Sequence, residues 1–176
     1  YHINYELSRQ MKALVQPYPK PGDPNPKVWI GIVEVATGKT VWIDRRAEYI
    51  PRFQWADEKT LAVQLLNRRQ NVLELVFVDP ATGVSRRVLT ERDDAFLNVT
   101  SDLTFLGNGR EFLWTSERSG FRHLYLYNRR GLQVRQLNKG EYEVQGVVGV
   151  DEKGGWVYFR SNEDSPLGSD LFRVKL

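Results

Sequence analysis

An apolar strand followed by a turn recurs along the chain at nearly constant spacing. "IGIVEVATG" begins at Ile30, "LVFVDPATG" at Leu75, "LYLYNRRG" at Leu124 and "LFRVKL" at Leu171, so successive starts lie 45, 49 and 47 residues apart. Self-similarity at this period is the signature of an array in which each repeat is one supersecondary unit that cannot bury its apolar face alone. The period fits β-propeller blades.

Each unit reads as strand, turn, strand, turn, strand, turn, strand. In "RFQWADEKTLAVQLLNRRQNVLELVFVDPATGVSRRVLTE" the breaks fall at Asp57 to Lys59, Asn67 to Asn71 and Asp79 to Gly83, between runs rich in β-branched and aromatic residues. The next unit has turns at Gly107 to Gly109, Ser119-Gly120 and Asn128 to Gly131. The fold class predicted is all-β, a partial β-propeller of about three and a half four-stranded antiparallel blades. An irregular, proline-rich segment is expected over 1–27, a partial blade over 28–44, full blades over 51–91 and 103–138, and another partial blade over 142–176 that stops after its third strand. The expected core is Trp55, Leu61, Val63, Leu75 and Phe77 in one blade, and Phe105, Leu113, Trp114, Leu124 and Leu126 in the next.

Only "YELSRQMKALV" near the start has a helical pattern, and Pro17, Pro19, Pro21, Pro24 and Pro26 then impose an extended loop. The absence of cysteine excludes disulfides, thiol nucleophiles and thiolate metal sites. No run approaches the roughly 20 apolar residues needed to cross a bilayer. The first residues lack the order of a signal peptide, and with Tyr1 in place of an initiator Met the start is expected to have been trimmed. A repeat array cut inside a blade is expected to self-associate through its open apolar faces and unpaired strand edge.

The stretch "SERSGFRHLYLYNRRG", Ser116 to Gly131, holds one of only two histidines beside serines and arginines. Alternation places His123, Tyr125 and Tyr127 on one face of the strand, and Leu124 and Leu126 on the other. A serine nucleophile needs a base in reach and an oxyanion pocket, which an α/β-hydrolase announces by Gly-x-Ser-x-Gly. No such pentapeptide occurs, so His123 is expected to be a packed strand residue.

"ATGKT", Ala36 to Thr40, resembles the end of a phosphate loop, but Val33 stands where the first glycine is required and the same slot one repeat later is "PATGVS". A hairpin turn is expected there. His2 and His123 are far apart in sequence, and Asp93-Asp94 and Glu141 with Glu143 lack calcium-loop spacing, so no metal or cofactor is expected. The arginine pairs at 45–46, 68–69, 86–87 and 129–130 occupy different positions of the repeat: one in a fourth strand, one after it and two in different hairpins. They read as solvated blade edges, not as a nucleic-acid stripe.

"YPKPGDPNP", "SERSGFRHLYLY", "KGEYEV" and "SNEDSPLGSDLFRVKL" occur in this order and spacing. With these motifs the chain, from about residue 14 to its end, resembles the β-propeller domain of the dipeptidyl peptidase IV family in its bacterial form. The resemblance implies part of an eight-bladed propeller that caps an α/β-hydrolase domain of the same parent protein and gates its active-site cavity. It implies periplasmic or extracellular location, and peptide substrates from which Xaa-Pro or Xaa-Ala dipeptides are removed. The family's catalytic Ser, Asp and His lie in the hydrolase domain, so no catalytic residue is expected in this chain.

The family's adjacent glutamates that hold the substrate amine would precede Tyr1, and no Glu-Glu pair occurs here; Glu141-Tyr142-Glu143 is expected in a blade strand instead. A cavity-facing loop of the family lies just before "DLTFL", which makes Phe96, Leu97 and Asn98 the candidate substrate-cavity residues. Phe96 stands where tryptophan is common in the family. The residues leave open a second reading, a non-enzymatic propeller that serves as an interaction scaffold.

Overall fold

The alternating strand-and-turn pattern folds into consecutive up-and-down antiparallel sheets. The computed structural model describes residues 2–3, 13–14, 20–107 and 109–176. The helical reading of Tyr5 to Val15 lies outside the described residues except for Ala13–Leu14, which is extended. That segment (β2) pairs with β1, His2–Ile3, placing Leu14 opposite His2. No helix occurs among the described residues.

A hairpin follows, β3 (Gly31–Val33) with β4 (Thr40–Trp42). Its turn is closed by Gly38 N–H donating to the Glu34 carbonyl at 2.8 Å, and Gly83 repeats this bond to Asp79, also at 2.8 Å. "ATGKT" and "PATGVS" are thus equivalent hairpins. The first four-stranded sheet runs through β5 (Tyr49–Asp57), β6 (Thr60–Leu66), β7 (Val72–Val78) and β8 (Ser85–Arg92) in sequence order. The second has β9 (Thr104–Phe105), β10 (Glu111–Ser116), β11 (His123–Asn128) and β12 (Gln133–Gln136). Three strands close the series: β13 (Val144–Asp151), β14 (Trp156–Ser161) and β15 (Asp170–Lys175).

Strand alternation connects each sheet to both neighbours. On β6 and β7, Leu61, Val63, Leu65, Val76 and Val78 pack toward Ile43 and Ile32 of the preceding hairpin. From the opposite face, Ala62, Leu66, Leu73, Leu75 and Phe77 meet Phe112, Trp114, Tyr125 and Tyr127 of the next sheet. That sheet in turn presents Leu113, Leu124 and Leu126 to Val144, Val157 and Phe159. The central strands are therefore buried on both faces, which is why they read as apolar runs with little polar alternation. Leu75, Phe112, Leu113 and Leu124 have no exposed surface.

Some expectations need correction. Trp55 is 54% exposed. It lies opposite Leu61, on the face of β5 turned toward the β3–β4 hairpin. The hairpin packs on β6, on β7 and on Ile50 near the start of β5, while Phe53, further along β5 and on the face of Trp55, is exposed too. Phe105 is only partly buried, at the end of the two-residue strand β9. Glu141 to Glu143 form a bend before β13 and not a strand, with Glu143 N–H held by the Asn162 side chain at 2.7 Å. The strand after the Ser119-Gly120 turn begins at His123.

Candidate functional site

The serines and the histidine of "SERSGFRH" are placed by the β10–β11 hairpin. Ser116 lies opposite His123 in the register, yet the two do not share a hydrogen bond. Ser116 is buried and donates to Glu91 at 2.9 Å, while the Arg118 Nε donates to its hydroxyl at 3.0 Å. His123 Nδ1 instead meets the Ser119 hydroxyl at 2.7 Å, and Tyr125 donates to the same hydroxyl at 3.0 Å.

A serine bonded to a histidine invites comparison with a nucleophile and its base. The histidine is 2% exposed, and burial pushes its pKa below the usual histidine range. The Gly140 backbone opposes this shift without forming a full hydrogen bond, and Nε2 is left with no partner. A base that accepts the serine proton becomes an imidazolium, and among the described residues no carboxylate acts on His123. His123, edge-on to the Tyr142 ring at 5.6 Å between centroids, is a packing residue of the strand.

Glu91 organises a buried polar cluster that the sequence reading missed. At the end of β8 its carboxylate accepts from Trp114 Nε1 at 3.0 Å and from Ser116, and pairs with Arg118. Arg118 also stacks over the Tyr125 ring at 4.9 Å. Burial acts to lower the Arg118 pKa, but the Glu91 carboxylate beside it prevails and the net shift is upward. The cluster ties two sheets together and fixes Arg118 as a permanent cation.

The candidate loop residues separate in space. Asp93 caps the turn by accepting from Ala95 and Phe96 N–H at 2.7 and 3.1 Å. Phe96 then projects outward, 52% exposed. Leu97 packs against the core and donates its N–H to the Gln70 carbonyl at 2.8 Å. Asn98 donates to both carboxylate oxygens of Glu117, at 3.1 and 3.0 Å, and Glu117 is itself paired with Arg122 at 3.0 Å. Phe96 is thus the candidate left free to meet a molecule in solvent.

Val99, the next residue, turns into a different feature. With Trp29, Tyr49, Ile50, Pro51 and Phe53 it lines an apolar cleft of about 650 Å³. The Asn25 side chain holds the Tyr49 hydroxyl at 2.7 Å. The cleft offers shape and mainly apolar surface, with Glu48, Asn25 and Gln70 as the polar side chains of its lining. Its sequence signal is the cluster of aromatics flanking the proline-rich loop and the start of β5, which the sequence reading did not single out.

The arginine pairs are dispersed over ion pairs: Arg45 and Arg87 on Glu74 at 3.3 and 3.0 Å, Arg68 on Glu48 at 3.1 Å, and Arg129 on Asp57. Among the described residues no three metal-ligating side chains converge. Among the described residues there is no helix long and apolar enough to cross a membrane.

Up-and-down sheets stacked in series, each sharing one apolar layer with the sheet before and another with the sheet after, are blades of a β-propeller. The family model described as the dipeptidyl peptidase IV (DPP IV) N-terminal region matches residues 1–176. The chain belongs to the dipeptidyl peptidase IV family.

The crystal structure of Porphyromonas gingivalis dipeptidyl peptidase 4 superposes with a TM-score of 0.86 at 30% identity, over 98% of this chain and 25% of that one. "Inactive dipeptidyl peptidase 10" of Mus musculus is 29% identical over 92% of this chain. "Probable dipeptidyl peptidase 4" of Neosartorya fischeri is 29% identical over 89%. The chain spans about 22% of the length of either relative.

Proposed function

We propose that this chain is the substrate-gating and scaffolding portion of a dipeptidyl peptidase IV-like serine exopeptidase that releases N-terminal Xaa-Pro or Xaa-Ala dipeptides, and that it carries no catalytic group of its own. The reading is carried by one observation: a propeller blade series whose polar residues are engaged in joining sheets, with an apolar cleft in place of a nucleophile. A propeller admits flexible chain ends and blocks folded ones, so its part in catalysis is selection and positioning. The partner of these blades is a hydrolase domain of the same parent protein, located in the periplasm or outside the cell. Phe96 reaches the peptide, while Leu97 and Asn98 hold the loop behind it.

The likeness to a relative named inactive favours keeping a second reading, a propeller used only as an interaction scaffold. Turnover of a Gly-Pro anilide by the full-length protein separates the two. Release of the chromophore that persists in Ser116→Ala, Ser119→Ala and His123→Ala variants supports the first reading. A folded full-length protein without turnover supports the second, and activity abolished by removing the Ser119 hydroxyl alone would overturn the assignment of a non-catalytic blade series.

A further inference from the structure

Behind the Leu97 to Thr100 segment lies a small, partly open cavity lined by Gln64 of β6 and by Arg122, the residue before β11, together with Asn98 and Glu117. Gln64 is 3% exposed, and its Oε1 is buried without a hydrogen-bond partner. On the other wall the Nε of Arg122 is likewise buried and unpartnered. Native proteins leave very few such groups unmet. One of these is an acceptor and the other a donor.

The remaining polar groups of the cavity are already engaged. Glu117 accepts from Asn98 and from the terminal nitrogen of Arg122, and Glu91 accepts from Trp114, Ser116 and Arg118. Thr115 shares a hydrogen bond with Thr100 at 2.9 Å. A cation entering here would face the Arg122 guanidinium, and an anion would face two carboxylates. An apolar group would leave both orphan atoms unmet. The ligand must be neutral, must donate on one side and accept on the other, and must be small.

The space open to the centre of a water molecule is about 30 Å³, above the roughly 10–15 Å³ that one water requires. We propose that this cavity is a built site for ordered water, which accepts from Arg122 Nε and donates to Gln64 Oε1. The bridge joins β6 of one sheet to the residue that precedes β11 of the next, beside the segment that carries Leu97 and Asn98. It is a structural ligand, independent of whether the parent protein cleaves peptides.

A high-resolution crystal structure of the full-length protein tests this. The expected result is a water peak within about 2.7–3.2 Å of both Gln64 Oε1 and Arg122 Nε. The site is overturned by a cavity without density, by Gln64 turned to bond Arg122 directly, or by density and anomalous signal of an ion. In solution, oxygen-17 relaxation dispersion should count one long-lived water fewer in Gln64→Leu than in the wild type. An unchanged count in a folded variant also overturns the proposal. The wild-type map decides by itself, so a variant that fails to fold does not weaken the test.

Discussion

Gly131, in the turn between β11 and β12, rests against the carbonyl of Val88 on β8 of the preceding sheet, and a Cβ at this position would stand 1.7 Å from that oxygen. One repeat earlier Gly83 stands in the same relation to Trp42 on β4, with a Cβ-to-oxygen distance of 2.1 Å. Both have positive φ, 87° and 75°. The third turn of each unit is thus the contact by which one blade sits on the edge of the blade before it. Gly38, the equivalent of both in the first hairpin and also at positive φ (70°), has nothing within 4 Å among the described residues.

These three glycines separate backbone strain from collision. Gly38→Ala should lose only the strain of a side chain at positive φ, about 1–3 kcal/mol. Gly131→Ala and Gly83→Ala should lose more, because a neighbouring backbone has to move in addition. Urea unfolding midpoints check the order, and equal losses at all three positions would remove the inter-blade contact as the cause.

Removing Glu91 should take away the acceptor of both the Trp114 indole and the Ser116 hydroxyl, which then keeps only what Arg118 donates to it. For Glu91→Ala each buried group left without a partner costs about 1–3 kcal/mol. The indole is 3% exposed, so its fluorescence should also shift as its environment changes. A variant within about 0.5 kcal/mol of wild type, the range of a surface substitution, would mean that the cluster does not hold the sheets.

His123 predicts an acid-side loss of stability. Its pKa is lowered by burial from the ordinary 6.5, so the unfolded chain takes up a proton before the folded one does. Its contribution is complete above pH 6.5 and is lost as pH falls below that value toward the depressed folded pKa. In urea titrations from neutral to mildly acidic pH, His123→Gln should show a shallower decline than wild type. Identical slopes would assign the acid sensitivity to other groups.

Leu124 and Trp55 give opposite expectations although both are large apolar strand residues. Leu124 has 0% exposure, and Leu124→Ala should cost about 2–5 kcal/mol. Trp55→Ala should cost far less because the indole is 54% exposed. The comparison by denaturant midpoint tests the register of β5 and of β11.

By itself the sequence determined the all-β class, the period of the units and the character of the turns, because these depend on local chemistry. Alternation along "HLYLY" alone put His123, Tyr125 and Tyr127 on one face and Leu124 and Leu126 on the other, and the two tyrosines and the two leucines do lie in different apolar layers. The motifs also identified the family, to which the whole chain was then matched.

Tertiary structure decided which faces are covered. Trp55 and Phe53 have the pattern of core residues, but the apolar contacts of the preceding hairpin meet β5 at Ile50 and leave both exposed, and no local signal encodes which part of a strand its neighbour covers. Glu91 and Gly131 acquire their roles from residues 23 and 43 positions away, Trp114 and Val88. The separation of Phe96, Leu97 and Asn98 likewise depends on Gln70, in the β6–β7 turn of the sheet that precedes the loop, and on Glu117, which the next sheet brings to it. Pairing across sheets follows from how the units pack, and a repeat in sequence specifies only that they can.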